Sequence, residues 1–318
     1  MYFSRMKSLG PIIIEHCNIY EEYLSKYPPQ ISEHCFSNLY VWREARQIET
    51  LEVDGSLIPF ETRGEQAVIF GGPIGTISLP HAIDALSKAT NMPIAGITRA
   101  SEGLALAIPS DWSTSEDRDN FDYLYSREEL TLLEGRKFHA KKNLVYQCVS
   151  EYDPGYEEIS QRNLPEIAEF IDRWCREREC GSESGLCHEY RAMREIVANY
   201  DSLKVMGAAI RIAGRIEAFT VGERLNENTA VIHFEKATPG FKGLYQLVNQ
   251  WFCKNALGSF EFVNREQDMG VEGLRRAKES YSPVQMVKKF DIFPPDSDRV
   301  MPTLNITERR CGEGAAPT

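Results

Sequence analysis

No stretch of this 318-residue sequence approaches the ~20 apolar residues that a membrane-crossing helix needs. The N-terminal apolar run Pro11–Ile14 is also shorter than the about 7–15 residues of a signal-peptide core. A cytoplasmic chain is the expectation. Positive charge is scarce as well: 36 Lys and Arg stand against 47 Asp and Glu, for a net charge of −11. That field repels polyanions, which excludes a histone-like role and leaves phosphate or nucleic acid only a local basic patch to bind. Eight cysteines are too few for a disulfide scaffold, and without an export signal they read as reduced thiols. Tight CxxC pairs are missing. Cys175, Cys180, Cys187 and His188 are spaced too widely for a typical zinc site, and Cys175 continues a helical apolar stripe, so thiols around a helix–helix turn are favoured over a metal centre.

What is present is an ordinary globular composition, 42% hydrophobic and 26% charged, long enough for about two domains at ~150 residues each. After Asn163-Leu164-Pro165, the residues Leu164, Ile167, Ala168, Ile171, Trp174 and Cys175 recur at helical spacing. A second stripe, Leu186, Tyr190, Met193, Val197 and Tyr200, follows the Gly181–Gly185 turn. Residues 203–222 change to strand-like alternation broken at Gly214, and TAVIHFEKA (229–237) supplies a third strand. Next come the loop Pro239–Gly243, a helix bearing Leu244, Leu247, Val248, Trp251 and Phe252, a strand at 260–263, a helix near 271–279 and a strand near 284–290.

This order is that of the GNAT acyltransferase fold. The first half echoes it with a hairpin across Asp54-Gly55, a strand at 67–70, the loop GGPIG (71–75) and a helix from Leu79 to Ala89. The sequence therefore predicts an α+β protein made of tandem GNAT-like domains, with mixed, mostly antiparallel sheets flanked by helices. The boundaries expected are 1–150, 151–292 and an aperiodic, flexible tail at 293–318.

Four segments carry candidate chemistry. In the loop 238–243, Gly240, Lys242 and Gly243 precede a helix whose free N–H groups suit a phosphate, although a plain strand-to-helix turn explains the glycines equally well. FGGPIG in the first half reads as the structural kind. In SREELTLLEGRKFHAKKN (126–143), Ser126 and Glu129 form a capping box, and Arg136, Lys137, Lys141 and Lys142 concentrate positive charge beside His139. Lys137 and Lys141 at i,i+4 share a face, as a phosphate contact or as a solvated surface. In HFEKA (233–237), alternation places His233 and Glu235 on one side of a strand and Lys236 on the other: a base and an oxyanion-stabilising cation, or a surface ion pair. Densest is FVNREQDMGVEGLRRAKESY (262–281), where Asn264, Arg265, Glu266 and Asp268 crowd a turn after a strand. Such a cluster can orient an amine and steady an oxyanion, or can fix the turn; its place at a strand end favours function.

CFSNLYVWREA (35–45), DYLYSREELTLLEGRKFHAKKN (122–143), AFTVGERL with VIHFEKA (218–237) and VNREQDMGVEGLRRAKESYSP (263–283) together resemble the DUF2156 family, which shares its fold with the C-terminal domain of phosphatidylglycerol lysyltransferases. The resemblance implies a relative of the Fem-type aminoacyl transferases. The implied function moves an aminoacyl group from aminoacyl-tRNA to an amine or hydroxyl, on a lipid head group or a soluble molecule. On that reading Asn264, Arg265, Glu266, Asp268, Glu235 and Lys236 line the reacting centre, while Gly240, Lys242, Gly243, Arg136, Lys137, Lys141 and Lys142 meet donor or acceptor phosphates. No permanent cofactor or metal is implied, only the donor co-substrate, aminoacyl-tRNA or acyl-CoA, with tRNA held by the local basic patch. An acyl-CoA-dependent N-acyltransferase and a non-catalytic ligand-binding protein of the same fold are the alternatives. The sequence leaves the acceptor and the oligomeric state open.

Overall fold

The structure, a computed structural model, describes residues 6–178, 184–295 and 297–304. The chain folds as two compact units, one running to Asp122 and resuming at Val287, the other spanning Tyr123–Met286. In the first unit the elements are β1 (Met6–Pro11), α1 (Cys17–Lys26), α2 (Phe36–Arg46), β2 (Ile48–Val53), β3 (Ser56–Arg63), β4 (Gln66–Phe70), α3 (Leu79–Thr90), β5 (Ile94–Ser101), α4 (Glu102–Leu106) and β6 (Ser113–Glu116). Then come β7 (Asp122–Ser126), α5 (Arg127–Leu132) and α6 (His139–Tyr152). The second series is β8 (Gly155–Glu158), α7 (Leu164–Glu177), α8 (Ser184–Ala198), β9 (Met206–Ile212), β10 (Arg215–Arg224), β11 (Thr229–Ala237), α9 (Leu244–Asn255), β12 (Phe262–Asn264), α10 (Glu272–Glu279) and β13 (Gln285–Val287), and the last strand is β14 (Lys289–Phe293).

The two ten-element series repeat in the same order, and so do their sheets. The first sheet runs β1-β2-β3-β4-β5-β14-β6 and the second β8-β9-β10-β11-β12-β7-β13. Position six of each sheet is filled by the strand that follows the other series, β14 in the first and β7 in the second. This exchange explains why the chain divides at 122/123 and returns to the first unit at 287. The boundary anticipated at 150 falls inside α6, and the one at 292 falls inside β14. The single strand expected near 284–290 is two strands, one in each sheet. The tail does not begin at 293: Phe293 is buried in β14, and the Pro302 carbonyl accepts from Arg63 Nη1 at 3.1 Å. Its remainder, 305–318, lies outside the described residues.

Local causes are plain in the second unit. Ile167, Phe170, Ile171 and Trp174 bury one stripe of α7, each fully buried side chain contributing about 1.5–3 kcal/mol. Ala213 and Gly214 both take positive φ, 47° and 81°, as the tight β9–β10 turn requires. Ser126 Oγ accepts from the Glu129 backbone N–H at the start of α5. Leu244, Leu247, Val248 and Phe252 of α9 pack on the sheet with Ile210, Ala230, Ile232 and Val263. No helix of the described residues is long and apolar enough to cross a membrane. Cys187 is disulfide-bonded, which corrects the expectation of reduced thiols throughout and removes it as a thiolate ligand; Cys180 lies outside the described residues.

Candidate functional site

Parallel pairing between β11 and β12 ends early. Thr229, Ala230 and Val231 match Phe262, Val263 and Asn264, after which β11 continues to Ala237 while the other segment turns away through residues 265–268. A bulge accompanies the divergence: Val221 faces Phe234 but the next residue, Gly222, faces Ile232, so His233 is the extra residue on β11. Strict alternation is broken there. Ala230 and Ile232 before the bulge and Ala237 after it all enter the core under α9, and Ile232 and Glu235, which strict alternation would set apart, share that side. Lys236 points across the strand, where its Nζ lies 2.7 Å from Glu189 and 4.8 Å from the Trp174 ring.

Side chains fill the divergence. Arg265 Nη2 donates to Glu235 Oε1 at 2.8 Å, and Asn249 Nδ2 from α9 donates to Glu235 Oε2 at 2.9 Å. The Arg265 guanidinium lies 5.6 Å from the Tyr125 ring centre and 4.7 Å from that of Tyr281. Burial is the largest influence and opposes its charge, but the Glu235 carboxylate together with Tyr125, Tyr281 and Cys253 outweighs it and lifts the pKa further, so the cation is permanent. Arg265 Nη1 and Asn249 Oδ1 are buried with no hydrogen-bond partner.

His233 sits beside this pair, its Nδ1 2.8 Å from Glu266 and its Nε2 2.9 Å from Glu223. Burial alone would lower its pKa, yet hydrogen bonds to the two carboxylates raise it to about 10. The ring is an imidazolium at neutral pH. It therefore donates to both glutamates and does not serve as a general base.

The rest of the turn is a brace. Asn264 Oδ1 accepts from the Glu266 N–H at 2.8 Å, and Glu266 holds a left-handed φ of 54°. Asp268, fully buried, accepts from Tyr123 Oη at 2.5 Å, from Arg275 Nε and Nη2 at 3.0 and 2.9 Å, and from the Gly270 N–H at 2.9 Å. Lys278 Nζ donates to the carbonyls of Arg265 and Glu266.

The basic and glycine-bearing segments take separate positions. Gly135 at φ 84° starts a 3-10 turn over Arg136–Phe138, so Lys137 and Lys141 do not share a helical face. Lys137 pairs with Glu129 at 2.7 Å. Lys141 donates to the Ser280 carbonyl at 2.5 Å and lies 4.4 Å from the Tyr281 ring, beside the Arg265 cluster. Burial and the Arg265 charge lower its pKa. Arg136, His139 and Lys142 line an open surface pocket of about 550 Å³ with Glu134. At the other loop Gly240 faces open space, Lys242 is exposed, and a Cβ on Gly243 would meet the Leu144 carbonyl oxygen at 2.1 Å, so Gly243 serves close packing against α6.

Four contributors escaped sequence reading: Tyr125, Tyr281, Glu223 and Asn249. Only Asn249 left a signal, an amide inside an apolar helical stretch.

A match to the family described as phosphatidylglycerol lysyltransferase, C-terminal, spans residues 25–293. Among solved structures, a conserved protein of unknown function from Bacteroides thetaiotaomicron superposes with a TM-score of 0.82 over 91% of this chain and 99% of its own, at 27% identity. L-PGS from Bacillus licheniformis does so at 0.64 over 93% and 96%, with 15% identity. FemX superposes at 0.52 over 90% and 96%, with 10% identity, and these last two speak for the fold alone. A curated relative, an uncharacterised protein of Mycoplasmoides gallisepticum, is 23% identical over 174 residues; the match spans 53% of this chain and only 54% of that protein. The fold class is α+β of the tandem GNAT-like, Fem-type architecture.

Proposed function

We propose a function from the premise that the chain belongs to the phosphatidylglycerol lysyltransferase C-terminal family: it moves an aminoacyl group from aminoacyl-tRNA to an amine or hydroxyl acceptor, a lipid head group or a soluble molecule. The observation that carries this reading is Arg265, a permanent cation fixed at the β11–β12 divergence with one donor, Nη1, unpartnered.

In this reading the acceptor's nitrogen or oxygen attacks the ester carbonyl. The carbon–oxygen bond to the terminal ribose breaks, and the proton lost by the nucleophile ends on the departing ribose oxygen. Arg265 Nη1 donates to the oxyanion that forms between these events. Glu235 holds the guanidinium in orientation, and Asn264 and Asp268 hold the turn that presents it. The His233 imidazolium fixes Glu266 and Glu223 and takes no proton. Arg136, His139 and Lys142 supply phosphate contacts for the tRNA, and such contacts weaken as salt rises.

The second reading, an acyl-CoA-dependent N-acyltransferase, draws on the open space at Gly240 ahead of α9. One experiment separates the two. Thermal unfolding is followed for the protein alone, with acetyl-CoA, and with aminoacylated or uncharged tRNA at two salt concentrations. The expected result is stabilisation by charged tRNA that fades at high salt, followed by transfer of labelled amino acid to an acceptor. Stabilisation by acetyl-CoA alone overturns it.

A further inference from the structure

We infer that Asn249 and Arg265, hinged on the Glu235 carboxylate, form a recognition site for an α-amino ester: Asn249 Oδ1 accepts from the α-amino group and Arg265 Nη1 donates to the ester carbonyl. The inference rests on the proposed aminoacyl transfer and assigns a residue to donor selection.

Glu235 orients both groups. A carboxylate only accepts, so the Asn249 amide must turn its nitrogen to Glu235, and its oxygen points elsewhere. That oxygen is buried without a partner on a residue 1% exposed. Arg265 likewise faces Glu235 with Nη2 and leaves Nη1 unpartnered. One acceptor and one donor, anchored to the two oxygens of a single carboxylate, are therefore both unsatisfied. Buried polar atoms are rarely left so, because each unpaired group destabilises the fold, and the pair calls for a ligand that carries both an acceptor and a donor. An aminoacyl ester carries both, on adjacent carbons. An acetyl thioester offers the acceptor alone and would leave Asn249 unpaired, so the same two atoms discriminate between the two donor classes.

Arg265 and Glu235 keep 14% and 12% of their side chains exposed, so the site opens at its edge. Helix α10 buries none of its residues and is tied down by polar contacts, Lys278 to the carbonyls of Arg265 and Glu266 and Arg275 to Asp268. Met269 and Ser282, at its two ends, hold left-handed φ of 53° and 54°.

The test compares lysyl-tRNA with the same tRNA carrying 6-aminohexanoate, which is lysine without its α-amine, by equilibrium binding and by single-turnover transfer. The wild type is expected to prefer lysyl-tRNA by roughly 10- to 100-fold, the penalty for leaving one buried acceptor unpaired. Asn249→Leu, which keeps the γ-branched shape at a larger volume and suits the apolar face of α9, is expected to fold and to reduce that preference to about threefold or less while both donors still bind. Equal binding of the two donors by the wild type, as when a water molecule alone fills the site, overturns the inference and leaves the transferase reading standing. An unchanged preference in the variant also overturns it. Binding of neither donor overturns both.

Discussion

The two units place the same feature at the same point of the fold and fill it differently. In each, the strand before a glycine-bearing loop pairs in parallel with the strand after the following helix, β4 with β5 and β11 with β12. Around the first pair the polar groups are matched to one another. Glu61, fully buried, takes Arg46 and Arg63; buried Lys289 donates to Glu33 at 2.7 Å and to Asp122 at 2.6 Å, and Arg99 reaches Glu33 at 3.3 Å. Among the described residues of that unit, the one buried side-chain atom without a partner is Ser297 Oγ. Around the second pair Asn249 and Arg265 each keep an unsatisfied atom. A duplicated fold has room for such a division, with one copy's charges closed into scaffold and the other's left open to a ligand.

The largest effect should come from breaking the closed side. Lys289 is fully buried, and although burial opposes its charge, Asp122 and Glu33 hold it protonated. Lys289→Met leaves buried Asp122 without its cation and Glu33 with Arg99 alone, and is expected to cost about 3–5 kcal/mol of stability in urea unfolding. A loss under 1 kcal/mol would show that the first unit's charges are not scaffold. On the open side the expected effect is on rate. Arg265→Lys keeps a cation beside Glu235 but loses the second donor, and transfer should fall about 10²–10³-fold while the urea midpoint moves little. Equal losses of stability and activity would make Arg265 as structural as Lys289.

His233 sharpens the comparison from within the second unit, since it is closed while its neighbours are open. Its pKa in the folded protein, about 10, stands above the ordinary histidine value, so its contribution is complete below pH ~6.5 and is lost as pH rises through 10. Between those limits the wild type should lose on the order of 4 kcal/mol that His233→Gln never had, which flattens the variant's stability–pH curve. Parallel curves would mean that the two glutamates do not hold a proton on the ring.

Much of this was legible in the sequence. The limits of β11 and the turn at Gly214 follow from alternation and from a left-handed position, both local properties. The crowding of Asn264, Arg265, Glu266 and Asp268 marked the correct turn, though Asn264 and Asp268 hold it rather than line it with free groups. What escaped depends on partners distant in sequence. The run 284–290 contains no local sign that Lys289 belongs to a different sheet from Val287, because the carboxylates that make its burial tolerable lie 167 and 256 residues away. The bulge at His233 is visible only in the register against β10, and it decides that Glu235 reaches Asn249. Lys137 and Lys141 separate because Gly135 adopts φ 84°, which composition permits but does not require.

The smallest expected effect tests the loops themselves. Gly71 and Gly240 both hold left-handed backbones, at φ 76° and 98°, so alanine strains either one. Their surroundings differ. A Cβ at Gly71 would lie 2.6 Å from Nε2 of His34, a ring held by the Gly72 carbonyl at 3.2 Å and kept neutral by burial, its pKa lowered to about 4. A Cβ at Gly240 would meet nothing within 4 Å. Gly71→Ala combines strain with a clash and should cost about 2–3 kcal/mol, while Gly240→Ala adds strain alone and should cost about 1 kcal/mol. The difference isolates filled space from open space in the two loops that follow β4 and β11. Equal costs would show that packing fixes the second loop no less tightly than the first, and would remove the room at Gly240 on which the acyl-CoA reading depends.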